Sequence, residues 1–92
     1  PPDPRDGPAI ALCESLTRAR TYAAGLAYEL VAARADLERI VKSVRIGAPE
    51  PDVRTLRGWR RELVGSELLD LLNGRLSLRI GEDRRLRVDA AG

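Results

Sequence analysis

"VRTLRGWRRELVGSELLDLLNG", residues 53–74, decides the fold. Gly58 interrupts a helical pattern, and glycine inside a helix costs about 1 kcal/mol relative to alanine. A break there leaves a short helix over 52–57, capped by Asp52, and a longer one from Trp59 to Leu72 that stops at Asn73-Gly74. The long helix is read as burying Trp59, Leu63, Leu68, Leu71 and Leu72, with the chain's one tryptophan as keystone of the core. Around it lie Arg54, Arg57, Arg60 and Arg61, with no acid among them before Glu62. Were Gly58 not a break, Arg54, Arg57 and Arg61 would form one stripe within roughly 60° of a helical wheel.

Upstream, Asp6 and Pro8 mark a helix start, with Asp6 as cap and Pro8 in the first turn. Ile10, Cys13 and Leu16, then Arg20, Ala23 and Ala27, follow at helical spacing, and Gly25 ends the helix near Ala24. "LAYELVA" adds about one helical turn. "ARADLERIVKSV", with Leu37, Ile40, Val41 and Val44 on one face, gives another amphipathic helix before the loop "IGAPEPD". Downstream the period changes. Leu76, Leu78 and Ile80 alternate with polar residues, as do Leu86 and Val88, and "GEDR" between them reads as a hairpin turn. A hairpin is marginal alone and should dock on the helices or on another part of a parent chain.

The expectation is one all-α domain: a small helical bundle over 9–74, a Pro-rich linker over 1–8, and a short β-hairpin or extended tail over 75–92 packed on the bundle. Ninety-two residues suffice for a single core. With no Phe, that core must be built from Leu, Val, Ile and Ala, which suits packed helices. The Pro-rich start without Met suggests excision from a longer protein. No stretch reaches the roughly 18 apolar residues of a membrane span and no signal peptide opens the chain, so a cytoplasmic location is the default and no membrane partner is expected.

The chemistry is limited by what is missing. The chain has no His and one Cys, which removes zinc sites and Ser–His or Cys–His devices. Cys13, among apolar residues, reads as a buried inert thiol and forms no internal disulfide. The glycines are spread as element boundaries rather than gathered into a phosphate loop. Asp36 and Glu38 have the Asp-x-Glu spacing of a two-metal site, but on a helix they diverge by about 200°; Asp36 instead complements a helix N-terminus. No catalytic centre, metal or cofactor is expected. Net charge is only +2, and the excess lies in the second half, residues 51–92. Fifteen of the sixteen basic residues are Arg throughout the chain, a bias that carries little functional weight. The four clustered arginines beside a helix N-terminus could cradle phosphates or simply pair with Glu62, Glu67 or Asp70. Trp59 is read as core rather than as a base-stacking platform.

Ala33-Arg34-Ala35-Asp36-Leu37, the string Gly58-Trp59-Arg60-Arg61-Glu62, and Gly65 with Leu68 resemble the C-terminal helical domain of bacterial ribonuclease D, over roughly residues 25–90. Gly-Trp-Arg-Arg-Glu is the specific part. The resemblance implies the helicase-and-ribonuclease-D C-terminal (HRDC) class, which brings the expected count to four to five helices. It further implies an accessory module, non-catalytic in itself, beside a metal-dependent 3′-to-5′ exoribonuclease whose acidic ligands lie in a separate, covalently linked domain. Weak phosphate contacts to RNA or DNA by Arg54, Arg57, Arg60 and Arg61 are the functional expectation, with RNA favoured. The alternative is a structural domain that docks on a catalytic core or second subunit without touching nucleic acid.

Overall fold

Gly58 does break the chain's helical course, and the architecture follows from where the helices on either side can pack. The computed structural model describes residues 3–92. Asp3 to Arg5 form a turn, and helix α1 runs Asp6–Ala24, ending at Gly25 in the left-handed conformation (φ 68°) that only glycine adopts without strain. Residues 1–2 of the expected linker lie outside the described residues. Asp6 does not cap α1. The Asp3 carboxylate accepts the Arg5 N–H at 2.8 Å, while Asp6 receives the Arg45 guanidinium at 2.8 and 3.1 Å and so ties α1 to the second helix.

A single 3₁₀ turn at Tyr28–Leu30 leads into α2, Arg34–Ile46. Asp36 acts at its N-terminus as expected, accepting the Ala33 N–H at 3.0 Å. A second 3₁₀ turn at Arg54–Leu56 replaces the expected helix over 52–57, and Asp52 points to solvent beside Arg57 instead of capping it. Arg57 is extended (φ −125°, ψ 147°) and Gly58 takes φ 53°, which turns the chain into the third helix. That helix, α3, spans 58–72: α-helical at Gly58–Arg60, π-helical at Arg61–Gly65 and α-helical again at Ser66–Leu72. Three helices, not four to five, are thus present among the described residues. The two missing ones are single 3₁₀ turns of three residues, too short for α-helical hydrogen bonding to repay nucleation.

Strands β1 (Leu76–Ile80) and β2 (Leu86–Ala90) form the expected antiparallel hairpin, with Leu78 opposite Val88. The Ala91 N–H donates to the Arg75 carbonyl at 2.8 Å and closes its open end. Leu78, Leu86 and Val88 pack against the helical core, so the hairpin gains the apolar support it lacks alone.

The core joins Ile10, Cys13 and Leu16 of α1 to Leu37, Ile40 and Val41 of α2 and to Val64 and Leu68 of α3. α1 completes its inward face with Thr17 and Thr21, not with Ala23 and Ala27, which are exposed. Each buried hydroxyl is satisfied along its own helix: Thr17 donates to the Cys13 carbonyl and Thr21 to that of Arg18. Cys13 is fully buried, and desolvation pushes its thiol up to about 12, as an inert core cysteine requires.

Trp59 overturns one expectation: it is 47% exposed. The inward face of α3 is set by Val64, Gly65 and Leu68. Gly65 lies so close to the second 3₁₀ turn that a Cβ there would sit 2.4 Å from the Thr55 carbonyl oxygen. The Thr55 hydroxyl in turn donates to the Val31 carbonyl at 2.9 Å. Close backbone packing at a glycine, rather than an aromatic keystone, seats α3.

Candidate nucleic-acid interface

The four clustered arginines project from one junction, built by the second 3₁₀ turn, extended Arg57 and the first turns of α3. None pairs with Glu62, Glu67 or Asp70. Glu67 is taken by Arg20, which crosses from α1 and donates from Nε and Nη2 to the two carboxylate oxygens at 2.7 Å each. Asp70 pairs with Arg75 beyond the end of α3.

Two of the arginines act on the first 3₁₀ turn. Arg54 Nη2 donates to the Glu29 carbonyl at 2.6 Å, and Arg60 Nε to the Leu30 carbonyl at 2.7 Å. These carbonyls lie at the end of a single turn that cannot bond them internally, so the side chains supply the donors. Arg54 also approaches the Asp36 carboxylate at 3.6 Å. Arg61 faces the other way. Its Nη1 and Nη2 reach the two oxygens of Glu50 at 2.6 and 3.2 Å, and Nη1 also donates to the Leu56 carbonyl. The guanidinium holds the Glu50 carboxyl below its usual range, and the pair fastens the 47–53 loop to the π-helical turn.

Arg57 keeps a solvent-facing cationic surface, with half-buried Arg60 beside it. Arg57 pairs at 2.8 Å with Asp52, but the two side chains are 61% and 83% exposed. Such a surface pair is worth about 0–1 kcal/mol and exchanges readily with another anion. Arg60 lies over the indole of Trp59, 4.5 Å from the ring centroid. The outcome is an exposed aromatic flanked by two arginines, next to a π-helical turn of the kind that often accompanies functional sites.

The sequence-derived cluster therefore divides. Arg61 is committed to Glu50, Arg54 and Arg60 are tied through backbone carbonyls to the first 3₁₀ turn, and Arg57, the most exposed of the four, fronts the solvent with Trp59. Trp59, expected in the core, lies on the solvent side. Asp36 and Glu38 gather no further ligands, and among the described residues no group of three His, Cys, Asp or Glu could hold a metal ion. No helix among the described residues is long and apolar enough to cross a membrane.

No protein-family model and no solved structure matches the chain. Curated proteins do match. The ribonuclease D of Gluconacetobacter diazotrophicus is 39% identical over 88 residues, which is 95% of this chain and 21% of that protein. The ribonuclease D of Nitrobacter hamburgensis is 38% identical over 80 residues, 87% of this chain and 20% of that protein. That of Granulibacter bethesdensis is 36% identical over 75 residues, 80% and 18% respectively. The chain spans about a fifth of the length of the curated relatives it matches. Over nearly its whole length, then, the chain is related to bacterial ribonuclease D, the family that its Gly58–Glu62 string resembles.

Proposed function

We propose that the chain is the accessory, HRDC-like C-terminal domain of a ribonuclease-D-type 3′-to-5′ exonuclease, non-catalytic in itself. It positions RNA for a covalently linked nuclease domain. One observation carries this reading: Trp59 is half exposed, stacked by Arg60 and flanked by Arg57, whose partner Asp52 is itself at the surface. A base can stack on the indole face opposite Arg60 while Arg57 and the Arg60 N–H groups not bound to Leu30 meet adjacent phosphates, a sequence-tolerant mode suited to a trimming enzyme. Arg54 and Arg61 support the platform rather than form it.

The test is a low-salt titration of the 92-residue chain with single-stranded RNA, followed by Trp59 fluorescence. Quenching with micromolar or weaker affinity and steep salt dependence is expected. Arg57→Glu, at an exposed position, should abolish it while the fold persists. Binding that survives this change would overturn the assignment of the surface.

A second reading, docking on a catalytic core without RNA contact, draws on Leu30, which is 51% exposed and adjoins Arg60 through its carbonyl. It predicts no quenching by RNA at any salt concentration, with a less stable parent enzyme when the domain is deleted.

A further inference from the structure

A second cationic groove lies away from the arginine junction, between the C-terminal half of α1 and the hairpin. Ala19, Tyr22 and Ala23 form one wall, Arg85 and Leu86 the other. Tyr22 is 81% exposed, the most exposed of the large apolar and aromatic side chains, and its ring covers no part of the core. Next to this groove, Arg84 occupies the fourth position of the hairpin turn with φ 65°. Its N–H donates to the Gly81 carbonyl at 2.9 Å and closes the turn. Glycine is the residue that this left-handed position favours, and a long side chain there carries about 1 kcal/mol of strain. Among the described residues neither Arg84 nor Arg85 has a carboxylate partner. The acids of the turn are Glu82 and Asp83, and Asp83 is occupied by Arg87. The groove's two other cations are occupied, Arg20 by Glu67 and Arg87 by Asp83.

We propose that this groove is a second contact for single-stranded nucleic acid, with Tyr22 stacking a base and Arg84 and Arg85 meeting the phosphates beside it. An exposed aromatic and an unpaired guanidinium, Arg85, line one groove, and a second unpaired arginine, Arg84, precedes Arg85 in the turn, the pairing of stacking and charge that single strands require. The strain at Arg84 supports it: a cation stands where glycine would make the tighter turn. Nucleic acid as the ligand rests on the function proposed above; the location does not.

The test follows backbone and side-chain NMR shifts of the 92-residue chain during titration with a single-stranded RNA oligonucleotide, together with Trp59 fluorescence. Shifts at Tyr22, Arg84 and Arg85 support the groove, with or without quenching of Trp59. Quenching of Trp59 while the groove residues stay still overturns the groove and leaves the first surface standing. Silence at both sites overturns both. Tyr22→Ala should weaken RNA binding about 10-fold. Arg84→Gly should weaken it too, while raising the melting temperature by relieving the turn; a melting temperature that rises with affinity unchanged overturns the role of Arg84. An acidic peptide that shifts the same residues as strongly, with no loss in Tyr22→Ala, would overturn nucleic acid as the occupant.

Discussion

Replacing Gly65 by alanine tests the seat of α3 directly. The added methyl would lie 2.4 Å from the Thr55 carbonyl oxygen and 3.3 Å from the Leu56 Cα. Ordinary contact begins near 3.4 Å, so α3 and the 3₁₀ turn must part by about 1 Å. The obstacle is backbone and cannot rotate away. Overpacking of this kind costs about 1–3 kcal/mol, and parting the elements also strains the buried hydrogen bond from Thr55 to Val31. Alanine returns at most about 1 kcal/mol of helix propensity. A net loss of about 2 kcal/mol should lower the melting temperature of a domain this size by about 10 °C, read by far-ultraviolet circular dichroism. Gly7 provides the control. It sits in the first turn of α1 with nothing within 4 Å of its absent Cβ, so Gly7→Ala should be neutral or stabilise by about 0.5 kcal/mol. If Gly65→Ala melts at or above the wild-type temperature, the close approach described for α3 is wrong.

Three further outcomes are expected. Cys13, fully buried and with its thiol pushed up to about 12, should react with an aromatic disulfide reagent only when the domain opens, so its labelling rate should track denaturant stability; rapid labelling in native buffer would refute its burial. The Glu50 carboxyl is held low by Arg61, so its contribution to stability is present above the ordinary carboxylate pKa and is lost as pH falls through the lowered one. Chemical denaturation between pH 6 and pH 3, taken as roughly the range that brackets carboxylate titration, should show a shallower acid limb in Glu50→Gln, by under about 1 kcal/mol because the pair is half exposed. Arg20→Ala removes both hydrogen bonds to Glu67 and should destabilise by about 1 kcal/mol, and the double variant with Glu67→Ala should lose less than the sum of the single changes; wild-type stability in Arg20→Ala would dismiss this tie between α1 and α3.

The features legible in the sequence were those fixed by near neighbours. Leu37, Ile40 and Val41 at helical spacing gave α2, the alternation of Leu76 and Leu78 gave β1, and Gly58 marked a true break. The helix count failed because "LAYELVA" and 52–57 bend through single 3₁₀ turns, whose composition does not distinguish them from short helices. Trp59 was misplaced because size was taken for burial, while the packing of α3 is decided by a contact between Gly65 and Thr55. A clue was present: Leu63 and Leu68 are five residues apart, a step too long for one α-helical face, and Leu63 lies within the π-helical turn at Arg61–Gly65. The division of the arginines was not legible at all. Arg54 and Arg60 act on carbonyls 25 and 30 residues away, and backbone acceptors carry no mark in a sequence.

That choice of acceptor has a consequence for how the surface can diversify. Arg54 and Arg60 grip Glu29 and Leu30 by main-chain oxygens, which every amino acid provides. Both side chains at those positions are exposed. The clamp therefore fixes the path of the turn while leaving its outward chemistry free, and residues 29 and 30 can be exchanged to suit a different neighbour without loosening the joint beneath them.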